Sequence, residues 1–142
     1  MRTAAYTVHV ARRPIPALGH PLIDRQHRRL ERLSLALHAA AVHGRPALAL
    51  LSSLLRDTIR HFASEERLMR VHGYREALGH ISLHQGVVAE MERLQALLRQ
   101  GVPLHRKHTA MIGDWLEHHV SEADRNLVAF ITSRVSGAAA GR

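Results

Sequence analysis

Two pairs of side chains, each four residues apart, carry the first chemical signal. His61 and Glu65 stand in "HFASEE" (61–66), and His80 and His84 in "HISLHQ" (80–85). On a helix, residues i and i+4 share a face, so each pair aims two donors at one point. A His-x-x-x-His pair so placed is a bidentate clamp for a transition metal. A single His–Glu pair is as often a solvent-facing contact, so the reading turns on whether other segments supply partners. The chain holds thirteen histidines in 142 residues and no cysteine. The histidines invite a nitrogen-ligated metal. The missing cysteine excludes disulfides, thiolate metal sites and cysteine nucleophiles.

The segments that must position these groups read as helices throughout. No stretch alternates with period two, whereas Leu, Ala, Arg, Glu and Met recur at three-and-four spacing. Glycine stops punctuate the chain at "HGRP" (43–46), "HGYR" (72–75) and "QGVP" (100–103). The pattern predicts four helices, at 20–43, 46–71, 75–100 and 104–133, with an N-terminal arm over 1–19 and a flexible tail over 134–142. Connections this short force neighbours antiparallel, so the expected fold is all-α, an up-down-up-down four-helix bundle.

In an antiparallel hairpin, residues equally far from the turn lie at one level. His27 is 17 residues before Gly44, and His61 is 16 after Arg45. At ~1.5 Å per residue both sit about 25 Å from that turn. Across the next turn, Glu65 precedes Gly73 by eight residues, while His80 and His84 follow Tyr74 by six and ten. Across the third, His84 precedes Val102 by 18 residues and His119 follows it by 17, with Asp124 one turn further on. All four helices therefore bring His, Asp or Glu to one layer. His119 and Asp124 are the awkward pair, because i and i+5 point about 140° apart on a regular helix. Either the helix bulges there or the aspartate reaches across. His118 fits worse than His119.

Five imidazoles and two carboxylates exceed what one octahedral ion can use. Two ions bridged by both carboxylates, with a bridging oxygen, would leave one ion filled and its partner one ligand short. A small molecule would bind at that vacancy, and the nitrogen-rich shell suits iron.

The stretches "LIDRQHRRL" (22–30), "HFASEERLM" (61–69), "HISLHQ" (80–85) and "WLEHHVSEAD" (115–124) resemble the hemerythrin family in its bacterial single-domain form. The resemblance covers all four helices. It implies two non-haem irons bridged by an oxo or hydroxo group and by Glu65 and Asp124. His80, His84 and His119 would hold the filled iron, and His27 and His61 the open one. It also implies O₂ as the ligand, bound reversibly at the open iron. The family's apolar O₂ pocket falls on Leu30, Phe62, Trp115, Leu116 and Val120. Such a wall keeps the site dry and denies the bound ligand a proton. Three features depart from the family. Glu31 stands where a phenylalanine is usual, the arm lacks a common tryptophan, and "YR" (74–75) replaces tyrosine–proline. Glu31 is expected to pair with Arg28 or Arg32 at the surface; the sharper alternative is a carboxylate that swings onto the open iron.

The rest of the composition narrows the partners. The net charge of +8 is carried almost wholly by arginine. Those arginines spread over every segment with no interleaved aromatics, which argues against nucleic acid. No apolar run is long enough to span a membrane and no export signal is legible, so the expected location is the cytoplasm. His9, His20, His38, His43, His72, His105, His108 and His118 have no place at the centre. His38 is expected in the core or at its rim, with His43 and His72 near helix C-termini. No glutamate has a histidine three residues on, which excludes the ferritin-like di-iron class. Reversible O₂ binding, for storage, delivery or sensing, is thus expected ahead of an enzyme acting on peroxide or nitric oxide. The rival of another class is a basic helical binding module without metal.

Overall fold

A computed structural model of the chain describes residues 13–141. The first twelve residues of the expected arm, His9 among them, lie outside the described residues, as does Arg142. The helices are α1 (Pro21–Val42), α2 (Leu48–His72), α3 (Ala77–Arg99) and α4 (Arg106–His119), then a π-helical turn (Val120–Asp124) and α5 (Arg125–Ala140). The last three run on as one rod. The fold is an all-α four-helix bundle, with no strand among the described residues. α1 packs on α2 and α4, and α2 on α3.

Each boundary has a local cause. Pro21 opens α1 in the first turn, where a backbone N–H has no helical acceptor to lose. His20 adds a side-chain cap, its Nδ1 accepting from the Ile23 N–H at 3.4 Å. The three glycine stops close their helices by one device. Gly44, Gly73 and Gly101 all have positive φ, at 63°, 65° and 84°. The next N–H then turns back to a carbonyl five residues earlier: Arg45 to Ala40 at 2.8 Å, Tyr74 to Met69 at 2.9 Å, Val102 to Leu97 at 3.0 Å. Only glycine adopts that left-handed conformation without steric cost. The turns that follow are short, so the helices are held antiparallel and in register.

The fourth rod departs from expectation at its end. It continues to Ala140 rather than stopping at 133, so the described part of the expected flexible tail is helical. Alanine is the strongest helix former, and "AAA" (138–140) carries the helix on although its side chains stay exposed.

Apolar side chains form two clusters along the bundle axis. The larger holds Leu30, Leu37, Leu51, Leu54, Phe62, Met91, Leu94, Ile112, Leu116 and Val120. The smaller holds Met69, Leu127 and Ile131. Between them lies a buried polar layer, containing the residues that the equal-height argument placed together.

Gly73→Ala tests the cap. Its Cβ would meet nothing closer than Arg134 Nη2 at 3.8 Å, so the cost is confined to the backbone. The variant should lose about 1 kcal/mol of stability in urea unfolding of the metal-free chain. Wild-type stability would show that the left-handed residue is not what closes α2.

Candidate metal centre

The polar layer brings together His27 from α1, His61 and Glu65 from α2, His80 and His84 from α3, His119 from α4 and Asp124 from the π turn. All seven are 0–4 % exposed. Their inward atoms fall into two groups, within each of which the donor atoms lie no more than 4.8 Å apart. Glu65, His80, His84, His119 and Asp124 form one; His27, His61, Glu65 and Asp124 form the other. Both carboxylates belong to both groups, one oxygen toward each. Glu65 Oε2 is 3.0 Å from His84 Nε2 and Oε1 is 3.2 Å from His61 Nε2. Asp124 Oδ1 is 3.0 Å from the Nε2 of His80 and of His119, and Oδ2 is 3.0 Å from His27 Nε2.

These approaches are short, but several lack the direction of a hydrogen bond. Both Glu65 oxygens, Asp124 Oδ1 and His80 Nε2 are buried without a hydrogen-bond partner. The Nε2 atoms of His84 and His119 face each other at 3.2 Å, and those of His27 and His61 at 3.1 Å. Donors that crowd around common points without satisfying one another fit a pair of cations, and the negative carboxylates with neutral imidazoles form a suitable ligand set.

The π turn resolves the alternative left open for His119 and Asp124. The Arg125 N–H bonds to the carbonyl of Val120, five residues back. That closure brings residues five apart onto one face, so the helix bulges and the aspartate need not reach across.

The five residues expected to line an O₂ pocket lie in one apolar group. Leu30, Phe62, Leu116 and Val120 are buried in one cluster, with Trp115 packed against it. Phe62 stacks on the His84 ring, with centroids 3.6 Å apart, and meets His61 at 5.7 Å. Trp115 stacks on His119 at 4.4 Å. Glu31 departs from the expected pairing with arginine. Among the described residues it pairs with no arginine, and it is absent from both donor groups. Its Oε2 instead accepts the backbone N–H of Ile15 in the arm, at 2.6 Å. That neighbour could not be seen from α1 alone.

The family model for the hemerythrin HHE cation binding domain matches residues 18–131. The chain belongs to the hemerythrin family. A bacteriohemerythrin of Stenotrophomonas maltophilia is 26% identical over 110 residues, which cover 76% of this chain and 72% of that one. A bacteriohemerythrin of Methylococcus capsulatus is 28% identical over 105 residues, 72% of this chain and 80% of its own. A solved wild-type hemerythrin superposes with a TM-score of 0.74 at 25% identity, over 78% of this chain and 88% of that one.

Two further side chains orient the imidazoles from behind, and neither stands out in the sequence. Gln26 Oε1 accepts from His61 Nδ1 at 2.8 Å, which turns His61 Nε2 inward and makes it the lone-pair atom once the ring is neutral. The Gln26 amide is itself held, since its Nε2 donates to Ser64 Oγ at 3.0 Å. Glu66 Oε1 takes the same role toward His84 Nδ1 at 3.2 Å. Each sits next to a candidate ligand in sequence, Gln26 before His27 and Glu66 after Glu65. That adjacency is the signal that could have found them, because a neighbour about 100° around the helix faces the adjoining rod.

In the metal-free chain the layer holds its own protons. Burial pushes His61 down, but Glu65 and Asp124 outweigh it and raise this imidazole to about 9. His80 is likewise raised to about 9 against its burial, by Asp124 and Glu65. Burial pushes both carboxyls up, and the facing imidazoles overcome it and hold Glu65 and Asp124 well below the usual carboxylate range. His119 goes the other way, lowered chiefly by burial.

A metal must displace those protons, so loading near neutral pH should release them, and affinity should rise with pH through about 9 and level off above it, where His61 and His80 have become neutral. Adding ferrous iron anaerobically to the weakly buffered metal-free chain, with a pH-sensitive dye, measures this. Unchanged dye would mean that these imidazoles are not metal-bound. Glu66→Gln should weaken metal retention by about tenfold or more in a chelator competition. Wild-type retention would remove Glu66 from an orienting role.

Proposed function

We propose that this chain is a non-haem di-iron protein that binds dioxygen reversibly. The observation that carries this reading is the uneven division of donors: three imidazoles on one side, two on the other, and two carboxylates common to both. His80, His84 and His119 would hold one iron, His27 and His61 the second, with Glu65 and Asp124 bridging and one oxo or hydroxo group shared. Two ferrous ions so held supply electrons that a bound dioxygen can take and return. With one nitrogen fewer, the His27–His61 side is where an exogenous ligand has room.

The protein's own contribution is to fix the two positions and keep them dry. The orienting bonds from Gln26 and Glu66 point Nε2 of His61 and of His84 inward. Leu30, Phe62, Leu116 and Val120 exclude water from the layer. A dry site without a nearby acid withholds the proton that would release reduced oxygen and leave the irons oxidised. The functional unit on this reading is residues 20–133, with residues 1–19 as an arm. No helix of the described chain is long and apolar enough to cross a membrane, and we place the protein in the cytoplasm, storing, delivering or reporting dioxygen rather than catalysing a reaction.

The test begins with metal analysis, which should give two irons per chain. The reduced protein exposed to air should then develop a coloured form that bleaches under vacuum and returns on readmission of air. Direct, irreversible oxidation with consumption of added peroxide would favour turnover of peroxide instead. A chain that retains no iron would leave only a metal-free helical binding module.

A further inference from the structure

A cavity of about 150 Å³ lies between α1, α4 and the N-terminal arm, outside the polar layer. It is lined by Pro14 and Ile15 of the arm, Glu31 and Ser34 of α1, and Gly113 and Leu116 of α4. Helical rise sets its height. Glu31 and Ser34 follow His27 by four and seven residues, which places them on His27's face, about 6 and 10 Å further along. Leu116 and Gly113 precede His119 by three and six residues, about 4.5 and 9 Å in the same direction. Leu116 also belongs to the apolar cluster that includes Leu30, Phe62 and Val120. Phe62 in turn touches the rings of His61 and His84. A single apolar layer thus separates the cavity from the candidate centre.

The arm crosses this cavity and is tied down by two carboxylates. Asp24 accepts the N–H of Leu18 at 2.7 Å and of Gly19 at 3.0 Å, beside the start of α1. Glu31 accepts the N–H of Ile15, within the part of the arm that lines the cavity. A phenylalanine at position 31 would have no acceptor for that bond. The residue that departs from the family's usual one is the residue that straps the arm down.

We propose that this cavity is an antechamber through which a small neutral diatomic molecule reaches the centre, and that the Glu31–Ile15 hydrogen bond sets the rate of passage. The inference rests on the dioxygen reading above. A strap of this kind acts on the barrier, not on the end states, so it governs association and dissociation alike. Its release requires only local opening of the arm.

Two experiments test it. Crystals of the metal-free chain under xenon pressure should show xenon beside Leu116 and Gly113. Glu31→Ala in the iron-loaded protein should raise both the association and the dissociation rate of O₂ about tenfold, the factor that a hydrogen bond to a charged acceptor commands. Its Kd should stay unchanged. Glu31→Gln, which keeps a weaker acceptor, should fall between. Leu35→Trp, at a half-exposed residue lining the cavity, should slow both rates. Xenon absent from the cavity overturns the antechamber whatever the iron content. Rates unmoved in both Glu31 variants, or a changed Kd with one rate constant fixed, overturn the strap. Xenon in place but no retained iron would overturn the dioxygen reading alone.

Discussion

Seven ionisable side chains share one dry layer, and that constraint governs the rest of the fold. Removing a charged group from water costs several kcal/mol unless a partner replaces the hydration. Apolar clusters lie on either side of the layer and offer no such partner. On their inward side the seven can satisfy only one another, and they do so poorly: carboxylate oxygens and imidazole nitrogens press to about 3 Å with several atoms left unbonded. Cations at the two foci would turn the same crowding into coordination. The glycine caps then have a purpose beyond ending helices, since a register slip of one residue on any rod would carry a donor out of the layer.

The surroundings of the layer are as uneven as the layer itself. A charged carboxylate stands behind His84, a neutral amide behind His61, and nothing among the described residues behind the Nδ1 of His27. A carboxylate partner makes an imidazole a stronger donor than an amide does. The side with three nitrogens is therefore also the more strongly buttressed, and the side with two is left the weaker field. Aromatic faces repeat the bias, because Phe62 lies flat on His84 and Trp115 on His119. On the dioxygen reading, this divides the work: one half is locked, and the other has room for an exchangeable ligand.

Much of the fold was legible because short glycine turns convert sequence distance into height. First, second and third helices end within two residues of where composition placed them. The donors of the layer could be found by the same reckoning, which needs no knowledge of side-chain rotamers. What was not legible depended on contacts between rods, or between a rod and the arm. The i, i+5 spacing of His119 and Asp124 admitted two solutions, and only the backbone of the π turn chooses between them. Glu31 read as a surface partner for arginine because the arm, lying across α1, has no periodicity to betray its path. Gln26 and Glu66 look like ordinary polar surface until the neighbouring helix supplies a histidine. The last turns of α5 carry exposed side chains, so no burial periodicity marks them in the sequence; alanine alone carries the helix on.

The π turn has a further consequence for how such a chain can change. Between His119 and Asp124 the fourth rod contains one residue of slack, taken up as a wider loop of backbone. Rewinding the same five residues as regular α-helix would turn the aspartate off the face of His119 and carry Leu127 and Ile131 away from the lower cluster they fill. At this length local regularity and the shared carboxylate are mutually exclusive, so substitutions that favour a regular helix across the turn work against the centre, and only loss of one residue would reconcile the two.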